Sequence, residues 1–304
     1  MTVAVHHLER GARPPEQPLA MPAQDLTAPP APRVRGPRSA LWRKAFVGAV
    51  SIALTLLSMR EMYMVLSVAE MTALEWIVLG LFSVNFCWIA FAFVSATAGF
   101  LTVLARKLPG ETAPYPAHVA ASRTALAFPI YNEDVGRVFA NIRATAAALA
   151  GQPAGAFEIF ILSDTTNPEV ALEEEAAFAR LKAGKGPAIP VYYRRRTRNL
   201  ARKSGNIHDF VSRWGGRYDF MIVFDADSYL DASAMIELVR RMEKSPETGL
   251  IQTIPRLVGG KTLFARWQQF AASAYGPFLG AGIGWWGQNE GNFWGQNALI
   301  RVRA

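Results

Sequence analysis

With 304 residues the chain has room for one large domain plus extra segments. It is 51% hydrophobic and only 18% charged, and its mean hydropathy of +0.13 is high for a soluble protein. A single cysteine, Cys87, excludes an intrachain disulfide, no Cys/His cluster has zinc spacing, and a net charge of +8 admits nucleic acid, anionic lipid or a phosphorylated substrate as partner.

Eight of the 19 prolines fall in residues 1–40 (Pro14, Pro15, Pro18, Pro22, Pro29, Pro30, Pro32, Pro37), where large apolar residues are sparse. That composition predicts a disordered, Pro-rich tail. No apolar core near the start suggests a cleavable signal. Residues 41–107 read as a transmembrane hairpin. Trp76–Ala105 contains no Asp, Glu, Lys or Arg, more than the roughly 20 residues a spanning helix needs. Ala45–Met59 is a weaker first span, interrupted by Arg60-Glu61, which snorkelling or mutual pairing would accommodate; the competing reading is an amphipathic interfacial helix. Arg33, Arg35, Arg38, Arg43 and Lys44 precede the first span, and Arg106 and Lys107 follow the second. This bias predicts cytoplasmic outer flanks and an N-terminus and C-terminal domain in the cytoplasm.

After Pro109, Pro114 and Pro116, strands and helices alternate. Strands are expected at 125–129, 157–162, 191–193 and 220–224, with helices after 135, from Pro168, at 207–214 and at 232–242. This α/β pattern implies a mostly parallel sheet with helices on both faces over 118–304.

Phe220–Phe224 ends in Asp225-Ala226-Asp227. Positions i and i+2 of a strand share a face, and paired hard oxygens suit Mg²⁺ or Mn²⁺. The same text fits an aspartyl-phosphatase nucleophile, in which Asp225 attacks and Asp227 is the acid, or a helix cap. Polar groups mark three other places: Tyr131-Asn132-Glu133, Ser163-Asp164-Thr165-Thr166 and Arg202-Lys203-Ser204-Gly205-Asn206. Asp164 read alone is also a candidate N-cap ahead of Pro168. Of the basic run 194–203, Lys203 is assigned to diphosphate attraction and the other arginines are expected to face water or membrane. His208 reads as a helix-surface residue. Tyr275–Trp294 reads equally as a sugar-stacking stretch (Trp285, Trp286, Trp294) or as a segment at the bilayer interface.

Taken together, the four polar clusters resemble the GT-A nucleotide-binding half of a family 2 glycosyltransferase. The flanking text of Phe128–Thr145, Ile161–Pro168, Tyr193–Trp214, Gln268–Phe278 and Trp294–Arg303 is similar to the membrane-bound synthases of osmoregulated periplasmic glucans within that family. The resemblance implies inverting transfer of glucose from UDP-glucose to a growing β-glucan in a bacterial inner membrane, dependent on Mg²⁺ or Mn²⁺. It implies other periplasmic glucan biosynthesis proteins as partners and no nucleic acid. It places Tyr131 and Glu133 at the base and ribose, Asp164 on the uracil ring, and Lys203 and Asn206 on the diphosphate and sugar. Asp225 and Asp227 become the metal pair, with Asp227 the more direct ligand, and Trp294, Gln296 and Asn297 stand at the acceptor. The family's catalytic-base aspartate and Gln-x-x-Arg-Trp motif do not occur up to Ala304, so an amino-terminal portion, incomplete at its C-terminal end, is expected. Alternatives are a cellulose- or hyaluronan-type synthase and a non-catalytic nucleotide-binding membrane protein.

Overall fold

The computed structural model describes residues 13–20, 27, 38–106, 119–183, 186–288 and 290–303. In chain order its elements are α1 (Arg38–Leu66), α2 (Ala73–Arg106), β1 (Thr124–Ile130), α3 (Val135–Ala148), β2 (Phe157–Ser163), α4 (Pro168–Lys182), β3 (Val191–Arg195), α5 (Arg202–Trp214), a 3₁₀ turn (Gly215–Arg217), β4 (Phe220–Val223), α6 (Ala232–Lys244), β5 (Leu250–Gln252), α7 (Leu263–Gly287) and β6 (Ala298–Arg301). They form two compact units. One comprises Met1–Ala28, Pro114–Thr253 and Asn292–Ala304, the other Pro29–Ala113 and Ile254–Gly291. The continuous domain expected over 118–304 is therefore interrupted, because 254–291 belongs with the apolar helices.

In the helical unit, α1 and α2 contain stretches long and apolar enough to cross a membrane, Leu41–Leu66 and Ala73–Ala105. At about 1.5 Å per residue each exceeds the roughly 30 Å hydrocarbon thickness of a bilayer. Their large side chains stay unburied; Leu81, Val84 and Trp88 are 68%, 74% and 73% exposed. A soluble core helix would bury such residues, so this exposure fits a lipid environment. Arg60 and Glu61 pair with each other at 2.8 Å, which neutralises the interruption in α1. α7 crosses α2 with the backbones in contact: a Cβ on Gly99 would lie 1.8 Å from the Phe278 carbonyl oxygen, and one on Gly282 1.8 Å from that of Ser95. Small residues permit such crossings. Trp285 meets Trp42 edge-on at 5.7 Å and carries Arg43 4.9 Å above its ring, and Trp286 meets Phe91. These two tryptophans therefore pack within the helical unit, and the sugar-stacking reading loses them.

The other unit is built on one six-stranded sheet of order β3-β2-β1-β4-β6-β5. β1 pairs in parallel with β2 and β4, and β2 with β3; β6 runs antiparallel to both β4 and β5. The sequence predicts the four parallel strands but not β5, β6 or α7. β1 is buried on both faces, as a central parallel strand should be. Leu126 and Phe128 join the core under α3, α4 and α6, while Ala125 and Ala127 join Phe160, Phe210 and Trp214 on the α5 side. Phe128 stacks on Phe224 at 4.3 Å. Local signals start the helices: Asp134, Asn167 and Asp231 accept hydrogen bonds from Arg137, Glu169 and Ser233 backbone N–H groups, and Pro168 follows its cap. The chain leaves β1 toward β2 and β3 on one side and returns to β4 on the other, so a switch point opens at the carboxyl ends of these strands.

The expected disordered tail falls mostly on residues outside the described ones. The described stretch 13–20 departs from that expectation, since it is packed on the sheet unit. Trp214 Nε1 donates to Pro14 O at 3.1 Å, Gln17 N to Arg213 O at 2.9 Å and Gly216 N to Gln17 O at 3.0 Å. Leu19 packs beside Trp214 and Phe210.

Candidate functional site

A cleft of about 750 Å³ lies at the switch point. Tyr131, Glu133, Asp164, Lys203, Asn206, Asp225 and Asp227 all line it, joined by Asn199 and Arg202. Trp294, Gln296 and Asn297 are not among its lining residues.

Where β1 and β2 end, Asn132 fastens the two loops together. It sits in the left-handed region at φ 53, which Asn tolerates. Its N–H donates to Thr165 Oγ1 at 3.0 Å, and its Oδ1 accepts from the N–H groups of Thr166 and Asn167 at 3.2 and 3.0 Å. This leaves Tyr131 outward, 55% exposed at the cleft. Behind the loop, the buried Glu174 carboxyl accepts from Ser163 Oγ at 2.7 Å, from Thr165 Oγ1 and from Tyr193 OH at 2.9 Å. Burial, then the neighbouring Glu174 charge, pushes the Tyr193 phenol up.

Asp164 is buried, and its N–H donates to Ile130 O at 2.9 Å. It does not cap α4; Asn167 does. Its carboxylate instead receives Arg196 Nε and NH2 at 2.7 and 2.6 Å. The same guanidinium reaches Leu200 O and Arg202 O. The hydrogen bond to Asp164 raises the pKa of Arg196 further. Arg194 is 2% exposed, paired with Asp209 at 2.8 Å, and burial pulls it down to about 10. The expectation that the arginines beside Lys203 face water or membrane is thus corrected for these two. Each meets a carboxylate inside the domain, and a run of identical letters carries no sign of which members will. His208 is exposed on α5, as expected.

α5 points its first turn at the cleft. Ala201 and Arg202 both lie in the left-handed region, and Ala201 supplies no side-chain cap. Within that turn Arg202 N–H donates to Asn199 O at 3.3 Å and Gly205 N–H to Ala201 O at 3.0 Å, so the amides of Lys203 and Ser204 are the ones a helix start can offer to an anion. Gly205 makes the turn possible, because a Cβ there would lie 2.0 Å from Leu200 O. Lys203 Nζ pairs with Asp225 Oδ1 and donates to Gly295 O at 2.8 Å. Asn206 lines the cleft, but its amide is engaged in holding α5 to the sheet: it accepts from Arg194 at 2.7 Å and donates to Leu162 O at 2.9 Å.

Asp225 is half-buried beyond β4 and Asp227 is exposed. Among the described residues no group of three or more His, Cys, Asp or Glu forms a metal cage. Two carboxylates beside a lysine and an open helix start fit Mg²⁺ or Mn²⁺ shared with phosphate oxygens, not a closed structural zinc. The acceptor candidates flank this loop. Gln296 Oε1 accepts from Ser228 Oγ, Asn297 N donates to Val223 O at 2.7 Å, and Trp294 is 45% exposed with its N–H on Gln252 Oε1. Of the residues that shape the cleft, sequence reading named Asn132 within a polar cluster but gave it no role, and it gave none to Glu174, Arg196 or Asn199.

Several known proteins share this chain's features. "Glucans biosynthesis glucosyltransferase H" of Shewanella sp. (strain ANA-3) is 48% identical over 300 residues, covering 96% of this chain and 41% of that protein. The protein of the same name from Vibrio cholerae serotype O1 is 49% identical over 300 residues, again covering 96% and 41%. The chain thus spans about two fifths of the length of these curated relatives. Among solved structures, a mannosyltransferase from Pyrobaculum calidifontis in complex with GDP-Man and Mn²⁺ aligns with a TM-score of 0.43 at 15% identity, covering 70% of this chain and 55% of that one. The family model described as Glycosyl transferase family 2 matches residues 126–304, the stretch that holds the sheet from Leu126 in β1 through β6 and every residue of the cleft. With more than half its length so matched and its polar residues gathered at the switch point, the chain belongs to glycosyl transferase family 2.

Proposed function

We propose that this chain carries the donor site of a membrane-bound glucosyltransferase that moves glucose from UDP-glucose to a growing β-glucan, with inversion, in the synthesis of osmoregulated periplasmic glucans. The observation that carries the reading is the convergence of Asp164, Lys203, Asp225 and Asp227 on one cleft at the carboxyl ends of parallel strands. The names of the relatives support glucan as product and glucose as the transferred group. The choice of this product over a cellulose- or hyaluronan-type polymer rests on the relatives' names.

Asp164, gripped by Arg196, accepts the N–H of the uracil ring. Tyr131 and Glu133 border the base and ribose. Lys203 and the open first turn of α5 receive the diphosphate. Asp225 and Asp227 would hold a Mg²⁺ or Mn²⁺, which would supply positive charge against the departing diphosphate. Trp294, Gln296 and Asn297, tied to the Asp225–Ser228 loop, stand on the acceptor side. Inversion also requires a base for the attacking hydroxyl, and the reading assigns that role to none of the residues in the cleft. The basic flanks of α1 and α2 support a reading in which the N-terminus and the sheet unit face the cytoplasm at a bacterial inner membrane.

The test is UDP-glucose binding to the detergent-solubilised chain, with and without Mg²⁺ or Mn²⁺. Binding should require the cation and fall about 10-fold or more in Asp227→Asn, the size expected for loss of a charged contact. A chain that binds no nucleoside diphosphate under any of these conditions overturns the proposal.

A further inference from the structure

We infer that Arg196 is the positioning residue that sets the donor's base selectivity, by locking Asp164 as a fixed, purely accepting carboxylate while holding the turn that opens α5. The inference rests on the donor-site reading above and adds a residue and a rule of selection to it.

Six hydrogen bonds carry it. Arg196 grips both Asp164 oxygens, at 2.7 and 2.6 Å. Its own N–H donates to Ser163 O at 3.0 Å, which registers it against the end of β2. Its remaining donors go to Leu200 O at 3.3 Å and Arg202 O at 3.1 Å. Asn199 Nδ2 closes the same loop onto Asp164 O. The Arg196 side chain is 11% exposed and that of Asp164 7%, so the pair is largely withdrawn from solvent while Asp164 still lines the cleft.

A carboxylate can accept at about four lone-pair positions, and a side-on guanidinium occupies two of them. The others remain for a ligand. The two parallel bonds from the planar guanidinium hold both carboxylate oxygens in one orientation, with their free acceptor edge toward the cleft. Such a group rewards a base edge that presents a ring N–H, as uracil does at N3. It disfavours one that presents a bare ring nitrogen, as cytosine does at the same position, because lone pairs then face each other. A mobile Asp164 would discriminate less, since it would present no fixed acceptor edge to the base. The same guanidinium also fixes the carbonyls of Leu200 and Arg202, at the left-handed turn Ala201–Arg202 just ahead of Lys203. One side chain thereby spans from the base end of the cleft to the diphosphate end.

The experiment compares UDP and CDP binding, with Mn²⁺, to the full chain in detergent for wild type, Arg196→Gln and Arg196→Lys, together with each protein's thermal midpoint. The two ligands share ribose, diphosphate and ring size, so their ratio isolates the base edge. Wild type should prefer UDP. Arg196→Gln should shrink the UDP:CDP preference about 10-fold or more, chiefly by weakening UDP. Arg196→Lys, a point charge without the planar fork, should also fall short of the wild-type preference; it provides the reading should the Gln variant not fold. Equal weakening of UDP and CDP, or an unchanged ratio in a folded variant, overturns the inference and leaves the donor-site reading standing. A wild type that binds neither nucleotide overturns both.

Discussion

Lys203 shows how a single residue in the cleft can work against one ligand and for another. Its ammonium lies on Asp225 and on Gly295 O, so it fills a place a cation would take and stands where a diphosphate would arrive. Replacing it with Met should therefore act in opposite directions. Mn²⁺ binding in the absence of nucleotide, followed by the loss of free-ion electron paramagnetic resonance signal, should tighten, because Asp225 is released from its ammonium partner. UDP binding in the presence of Mn²⁺ should weaken by about 10- to 100-fold, as a charge-assisted contact is lost. If both affinities fall together, Lys203 does not compete with the metal. At this scale the sequence shows residue types well and partners poorly. Asp225 and Asp227 stand out because an apolar strand runs straight into them. Arg196 does not, because nothing in Arg194-Arg195-Arg196 says which guanidinium will find Asp164, 32 positions away.

Among the elements, α6 carries a charge cluster whose effect on stability has a definite sign. Glu237 is 5% exposed and binds Arg240 NH2 at 2.6 Å and Arg241 Nε at 2.7 Å. The hydrogen bond from Arg240, ahead of the other contributions, lowers its carboxyl from an ordinary value near 4.5 to about 2. A group depressed on folding stabilises the native state above its unfolded pKa and loses that contribution as the pH falls through the folded one. Glu237→Gln should therefore unfold about 1–3 kcal/mol more easily than wild type at neutral pH, and the gap should close between pH 4.5 and 2. Urea midpoints of both proteins across that range give the measurement; a gap independent of pH would mean the pairing adds nothing through charge. Elements of this kind were legible. α6, like α3 and α4, announces itself by an apolar stripe and a capping residue, and the parallel strands by short buried runs. What escaped were β5 and β6. Three and four residues long, they exist because β4 offers an edge for β6 to pair with, a partner that no local pattern reveals. α7 escaped for a related reason: its Gly and Trp spacing gains meaning only once Gly99 and Gly282 bring it against α2.

At the scale of the molecule, the N-terminal stretch joins the sheet unit from nearly 200 residues away in sequence. Composition alone argued for disorder, since residues 13–20 are mostly Pro, Gln and Glu around one Leu. What holds them is a ready-made seat. Trp214 offers an indole N–H to Pro14 O, Arg213 pairs with Glu16, and the 3₁₀ turn presents Gly215 and Gly216 without side chains. A Cβ on Gly216 would lie 2.7 Å from Gln17 O and 3.0 Å from Pro18 O, and one on Gly215 3.2 Å from Leu19 Cβ. Gly216 lies outside the left-handed region, so alanine suits its backbone and clashes only with the strap. Gly216→Ala is thus a selective wedge. The strap is held by a few hydrogen bonds, a surface ion pair and the partly buried Leu19, against the backbone entropy of ordering it, so the docked state should be easy to release. In Gly216→Ala the amide of Gln17 and that of residue 216 should lose protection from hydrogen exchange together, while β1 and β2 keep theirs, and the unfolding midpoint should fall by only a few degrees. If the wild-type amide of Gln17 exchanges as fast as an unfolded peptide, the strap does not dock. If the wedge strips protection from β1 as well, the strap is part of the core and not an addition to it.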